Sequence, residues 1–176
     1  KINGHEVRLR SAGDALANSI GMVHQELSVV PDLTVAENVF LGNQPLTAIG
    51  TVDWGRMNRE AKKLIASLGL DIDPTTTMGS LPVGLQQLVE LSRVLFSGAQ
   101  IIILDEPTRG IDVGAKYEIY SIMNEFVEKG NSIVMISSEL PEIIGMSDRV
   151  YVMAEGRLVG EISKENMTQE NIMKYA

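Results

Sequence analysis

The sequence predicts an α/β fold built on a mostly parallel sheet, and three observations carry that prediction. Strand-like and helix-like segments alternate along the whole chain. Two of the strand-like segments, Ile101–Leu104 and Ile133–Ile136, are wholly apolar, as suits strands covered on both faces. The helix-like segments carry apolar residues at three- and four-residue spacing and stop at glycines. At 176 residues and 44% apolar content, the chain fits one domain with its own core, read as spanning residues 1–176.

The amino end "KINGHEVRLR" begins without methionine, has no apolar signal-peptide core and places a turn at Asn3-Gly4 between short strand-like pieces, so it reads as the start of an interior fragment. Ser19–Val23 is a strand candidate. Thr34 and Glu37 have capping-box spacing ahead of Val39, Phe40 and Leu41. Beyond Asp53, residues Met57, Ala61, Leu64, Ile65 and Leu68 mark an amphipathic helix that Gly69 stops. Gly84 leads a second helix through Leu88, Leu91 and Leu95, which Ser97-Gly98 breaks before Ile101–Leu104. Gln86, Gln87 and Arg93 read as its solvated face. Asp112 caps a third helix, whose apolar face is Ile119, Ile122, Met123, Phe126 and Val127 and whose end is Gly130. The strand "SIVMIS" follows. Residues 148–162 read as a hairpin around Glu155-Gly156, and Thr168 caps a last short helix.

Composition removes several classes of partner. There are 15 basic and 23 acidic residues, for a net charge of −8, and no block of like charges, so the clustered Lys and Arg of a nucleic-acid footprint are missing. The absence of cysteine excludes a disulfide framework. The apolar runs are too short to cross a bilayer, which leaves a peripheral role at most.

The pair Asp105-Glu106 directly follows the apolar strand Ile101–Leu104. Ligands of such sheets sit at the carboxyl ends of strands. An acid in that place suits a Walker-B role, in which Asp105 holds Mg²⁺ and Glu106 polarises a water attacking a γ-phosphate. Taken alone, the same residues read equally well as a strand ending in a polar turn.

Four segments in one order extend the argument: "VHQELSVVPDLTVAENVFLG", "LPVGLQQLVELSRVL", "IIILDEPTRGID" and "IVMISSEL". Together they resemble the nucleotide-binding domain of ABC transporters, a P-loop NTPase-like ABC-type ATPase domain. The resemblance is strongest to the tandem-domain ATPases of bacterial monosaccharide importers of the ribose and galactose type. It implies ATP and Mg²⁺ as ligands. Gln25 matches the Q-loop glutamine that senses Mg²⁺ and the γ-phosphate, Asp105 the Mg²⁺-binding Walker-B acid, and Glu106 the catalytic glutamate. Asp112 matches the D-loop aspartate that couples two sites across a dimer, Gly84 is a surviving signature glycine, and Ser138 stands at the switch-histidine position. Implied partners are a membrane permease, a second nucleotide-binding domain and, indirectly, a periplasmic sugar-binding protein, with the chain peripheral on the cytoplasmic face of the membrane. Pro31–Gly42 and the helix after Asp53, with Leu33 and Phe40, would touch the permease.

Departures from the family pattern set further expectations. In Leu81–Leu85, Pro82 replaces the signature serine and Val83 the first glycine, which removes a hydroxyl and a backbone N–H from the phosphate contact. The phosphate-cradling GxxxxGK[ST] loop occurs nowhere in the sequence. In the family that loop lies upstream of the position of Lys1, so the resemblance implies a partial domain truncated at its N-terminus, with apolar sheet surface left uncovered. Residues up to about Leu104 resemble the front repeat of the tandem ATPases and those beyond the rear repeat, which implies a mosaic joined in "LDEPT". Two rival readings stay open: a non-hydrolysing ABC-like binding module, and a soluble non-transport ABC protein, the second disfavoured by the acidic charge.

Overall fold

A computed structural model describes residue 2 and residues 4–175. The chain divides into two compact units, 1–134 and 135–176, each described here by itself. Asn3 of the predicted Asn3-Gly4 turn lies outside the described residues. Beside it, Ile2 and His5 make an antiparallel bridge.

In the first unit, β1 (Ile20–Val23) and β2 (Ile101–Asp105) pair in parallel, Ile20 against Ile101 through Val23 against Leu104. The sheet order is β1-β2-β3, and β3 (Ser132–Ile136) enters it where the Ser132 N–H donates to the Gln100 carbonyl at 2.9 Å. Ahead of β1 lies α1 (Ala12–Ala17), a helix the sequence does not announce because it buries no residue; Ser11 Oγ caps it by accepting from the Asp14 N–H.

Three helices build the main core. α2 (Val35–Val39) starts on the predicted capping box: Thr34 Oγ1 accepts from the Glu37 N–H, and Glu37 accepts from the Thr34 N–H. α3 (Trp54–Ser67) is capped by Asp53, and Gly69 beyond it takes a φ of +76°, the left-handed stop that glycine permits. α4 runs Val83–Phe96, one residue ahead of the glycine expected to lead it. Val35, Ala36, Val39, Phe40, Met57, Ala61, Ile65, Ile72, Met78 and Val89 form one buried cluster between them. Phe40, expected to face a permease, is 2% exposed, and its ring meets that of Phe96 edge-on at 4.7 Å. It belongs to the core. α5 (Val113–Glu128) buries Ile119, Ile122, Met123 and Phe126 as predicted, while Val127 stays 43% exposed.

The second unit contains α6 (Leu140–Met146), the hairpin β4 (Arg149–Ala154) and β5 (Arg157–Ser163), and α7 (Gln169–Met173) capped by Thr168. Glu155 and Gly156 turn the hairpin with φ of +48° and +75°. Val150, Val152, Ile162, Met167 and Ile172 form its core.

The sheet of the first unit is apolar on both faces but unevenly covered. Val23, Ile102 and Leu104 are buried, whereas Met22 is 39% and Val134 53% exposed, in line with the expected uncovered surface. On the covered face α4 approaches closely at Gly21. A Cβ there would run into Val94 Cγ1 and lie 3.2 Å from the Ala99 Cβ. Gly21→Ala therefore lowers stability by about 1–3 kcal/mol through overpacking, and adding Val94→Ala recovers part of the loss. Denaturant midpoints of the two variants check this; an unchanged midpoint for the single variant means α4 packs less tightly than described.

Candidate functional site

Parallel strands end on the same side of the sheet, and Gln25, Asp105 and Glu106 lie at or just beyond those ends. Asp105 is the last residue of β2, one step beyond the Val23–Leu104 pair, and Gln25 lies two residues beyond Val23 on the neighbouring strand. Gln25 is exposed, and Asp105 and Glu106 are half-buried. Glu106 adopts a φ of +48°, a left-handed conformation uncommon for a side chain with a Cβ. Such strain costs on the order of 1 kcal/mol or more and concentrates at functional sites. Beneath it Thr108 is fully buried, and the Arg109 N–H donates to the Glu106 carbonyl at 3.1 Å, closing the turn that carries the pair.

A second group forms where α4 meets α5. Asp112 Oδ1 accepts from the Gly114 and Ala115 N–H groups at 3.0 and 3.1 Å, confirming its N-cap role. Gly84 is buried against the same turn: a Cβ on it would meet the Ala115 Cβ at 2.6 Å, Ile111 Cγ2 at 3.3 Å and Asp112 Oδ2 at 3.6 Å. Glycine is thus demanded here by the packing of two helices as well as by any approach to phosphate. Pro82 at the N-cap of α4 makes no side-chain hydrogen bond. Ser138 lies in the second unit, in the exposed segment between β3 and α6, where Ser137 Oγ donates to Glu142 and accepts from the Glu139 N–H at 3.0 Å.

Sequence reasoning missed the polar interior of α4. Gln87, read as solvated, is 6% exposed, and Arg93 is engaged with its neighbours. Glu90, unremarked in the sequence, is 2% exposed. Its carboxylate accepts from the Ser28 N–H and lies 3.5 Å from Arg93 Nη2. Burial pushes its pKa up, against the lowering effects of the Ser28 hydrogen bond and of Arg93. The signal that could have found it is a lone glutamate at the helical spacing of Leu88 and Leu91, inside the apolar stripe. Among the described residues no three His, Asp or Glu side chains gather into a metal-binding group, and no helix is long and apolar enough to cross a membrane.

The architecture is that of a P-loop NTPase-like α/β domain of the ATP-binding-cassette class. Among solved structures, a nucleotide-free ATP-binding cassette from an ABC transporter shares this fold with a TM-score of 0.75 over 92% of this chain and 67% of its own, at 24% identity. Residues 1–109 match the family pattern described as ABC transporter, and the chain belongs to that family. It is 42% identical to a galactose/methyl galactoside import ATP-binding protein of Clostridium tetani over 99% of this chain and 36% of that protein. It is 40% identical to a xylose import ATP-binding protein of Moorella thermoacetica over 99% of this chain and 36% of that protein. A ribose import ATP-binding protein of Bacillus licheniformis is 42% identical over 99% of this chain and 36% of its own length. The chain therefore spans about a third of the length of the curated relatives it matches.

Glu90 gives a test of its surroundings. A folded-state pKa raised above the unfolded value of about 4.3 favours the protonated form in the fold, so its contribution is complete below that value and is lost as pH rises through the raised one. The stability of the native chain relative to Glu90→Gln accordingly falls as pH rises from about 4 through the raised value. Paired denaturation curves measure it; a difference that stays constant with pH shows that Glu90 titrates as if in water.

Proposed function

We propose that the chain is part of an ATP-hydrolysing subunit that powers a bacterial ABC sugar importer, peripheral on the cytoplasmic face of the membrane and paired with a second nucleotide-binding domain. The observation that carries this reading is the parallel β1–β2 pairing, which sets Gln25 and the Asp105-Glu106 pair at one sheet edge in a member of this family. The sugar class follows from the relatives named for galactose, xylose and ribose import.

The residues fit Mg²⁺ bound with ATP. That ion takes one or two protein carboxylates and fills its other positions with water and phosphate, which matches an adjacent pair of acids without a larger cluster among the described residues. When bound with ATP, Mg²⁺ would supply positive charge to offset the charge that develops during phosphoryl transfer. Asp105 holds the cation side of the site, directly or through water. Glu106 orients the attacking water and accepts its proton. Gln25, on the neighbouring strand end, hydrogen-bonds at the γ-phosphate side and so registers which nucleotide is present. Asp112, exposed at the start of α5, faces the second domain, with Gly84 buried behind it. Ser138, at the switch position, supplies a hydroxyl but neither the charge nor the proton relay of a histidine.

One observation favours a slower or non-hydrolysing variant of this reading. α4 begins on Pro82, with no side-chain cap, and on Val83, which is 53% exposed, so the signature end presents little that would hold phosphate. Pairing with a domain that has an intact signature would then supply the missing contacts.

In the complete subunit, Glu106→Gln keeps nucleotide affinity while turnover falls roughly 10²-fold or more, the scale of a positioned general base, about 2.7 kcal/mol. Asp105→Asn lowers affinity and rate together, and excess Mg²⁺ restores part of both. Steady-state ATPase assays beside fluorescent-nucleotide binding separate the two; equal losses of affinity would sink this division of labour.

With Phe40 buried, the permease contact falls to exposed apolar residues at or beside the same two segments, Val30, Leu41 and Trp54, which are 36%, 37% and 54% exposed. A Leu41→Ala, Trp54→Ala double variant in the assembled transporter should lose transport while basal ATPase persists. If both activities drop in parallel, those side chains serve the subunit's own packing.

A further inference from the structure

The segment that follows β1 is gripped by its backbone. The Ser28 N–H donates to both carboxylate oxygens of Glu90 at 3.3 Å each, and the Ser28 carbonyl accepts from Arg93 Nη1 at 3.3 Å. Two residues later the Val30 N–H donates to Asn38 Oδ1 at 2.7 Å, and Asn38 Nδ2 donates to the carbonyls of Val30 and Thr34, each at 3.0 Å. At both positions the donor and the acceptor of one residue are taken by side chains of a helix, α4 for Ser28 and α2 for Val30. The pattern of alternate residues is that of a strand edge, with helix side chains standing where a neighbouring strand would pair. The grip does not depend on what the Ser28 and Val30 side chains are.

The gripping groups sit inside the helical core. Asn38 is 2% exposed, and the Glu90 side chain is 1% exposed. A buried carboxylate is costly even when paired, and apolar residues in the place of a buried ion pair are often neutral or stabilising. Stability of α4 alone is therefore a poor account of Glu90. Gln25 stands between the end of β1 at Val23 and the grip at Ser28.

We propose that Glu90, Arg93 and Asn38 are positioning residues that clamp Ser28 and Val30 to α4 and α2, so that a displacement at Gln25 moves the helices and is not absorbed in the loop. The inference rests on the reading of Gln25 as the residue that registers nucleotide. A backbone held at two alternate residues by two different helices resists both rotation and sliding, whereas a single contact would leave a pivot. Because α2 and α3 share the core cluster with α4 through Val39, Met57 and Val89, what moves α2 and α4 also moves α3.

The test is amide hydrogen exchange on the complete subunit, with and without ATP and Mg²⁺, beside fluorescent-nucleotide binding. In the native protein ATP changes exchange across α2 and α3. In Glu90→Gln the Ser28 amide exchanges faster, nucleotide affinity stays within roughly twofold, and the ATP-dependent change in α2 and α3 falls roughly tenfold; Glu90→Ala does the same more strongly. Leu91→Ala, on the same helix but outside both the clamp and the cluster shared with α2 and α3, lowers stability and leaves the ATP-dependent change intact, which excludes a general loosening of the core. Gln25→Ala separates this inference from the reading beneath it. If Gln25→Ala abolishes the change and Glu90→Gln does not, the clamp is wrong and Gln25 stands. If Gln25→Ala leaves the change in place, Gln25 is no sensor and the clamp falls with it. A native protein whose α2 and α3 ignore ATP, or a Leu91→Ala variant that behaves like Glu90→Gln, also overturns the proposal.

Discussion

Four residue pairs, from Ile20–Ile101 to Val23–Leu104, decide where two strands end and therefore what stands at the edge beyond them. A one-residue slip in that pairing would exchange the faces of β1, turning the buried Val23 outward and bringing the half-exposed Met22 against α4. Gly21 reinforces the register, because only a residue without a Cβ leaves room for Val94 and Ala99 at that point. Close approach of α4 then puts Glu90 and Arg93 within reach of Ser28. The acids after β2, the glutamine after β1 and the grip on the loop thus follow from one parallel pairing and one small residue.

The sequence made legible those parts of the fold whose cause is local. Thr34, Asp112 and Thr168 were recognisable as caps because each needs only its own backbone two or three residues ahead, and each forms that bond. α1 escaped notice because a helix that buries nothing leaves no apolar period to read. Phe40 was misplaced for a related reason. An apolar residue at the end of a short helix carries no local sign of which way it points, and its partner ring, Phe96, lies far along the chain. The edge with Gln25 and Asp105-Glu106 was legible as motif and topology, but the Glu90–Ser28 bond joins residues 62 positions apart and has no motif of its own. A polar residue within an apolar stripe was the only hint.

The signature region shows how packing and chemistry compete for the same residues. Gly84 must be small because Ala115 and Ile111 crowd it, and this demand holds whether or not phosphate ever approaches. A surviving glycine is therefore weak evidence for a surviving site. Pro82 and Val83 are exposed, so α4 tolerates departures from the family pattern there. Packing preserves one part of the motif while the exposed part departs from the family pattern, which under the proposed function favours pairing with a domain whose own motif is intact.

Glu90 and Asn38 place polar atoms in an interior that apolar side chains would fill more cheaply. What they obtain is directional. An apolar contact at Ser28 or Val30 would hold the loop near the helices but let it slide, since dispersion has little preference for register. Hydrogen bonds to both backbone groups of a residue fix its rotation as well as its distance. Pairing with a true strand would fix the loop equally well, yet it would enlarge the sheet and tie the segment to β1 and β2 in place of the helices. Side chains from α2 and α4 let a short stretch of backbone belong mechanically to the helical core while its neighbour Gln25 stays at the sheet edge, and a residue placed between two bodies in that way is where a signal between them has to pass.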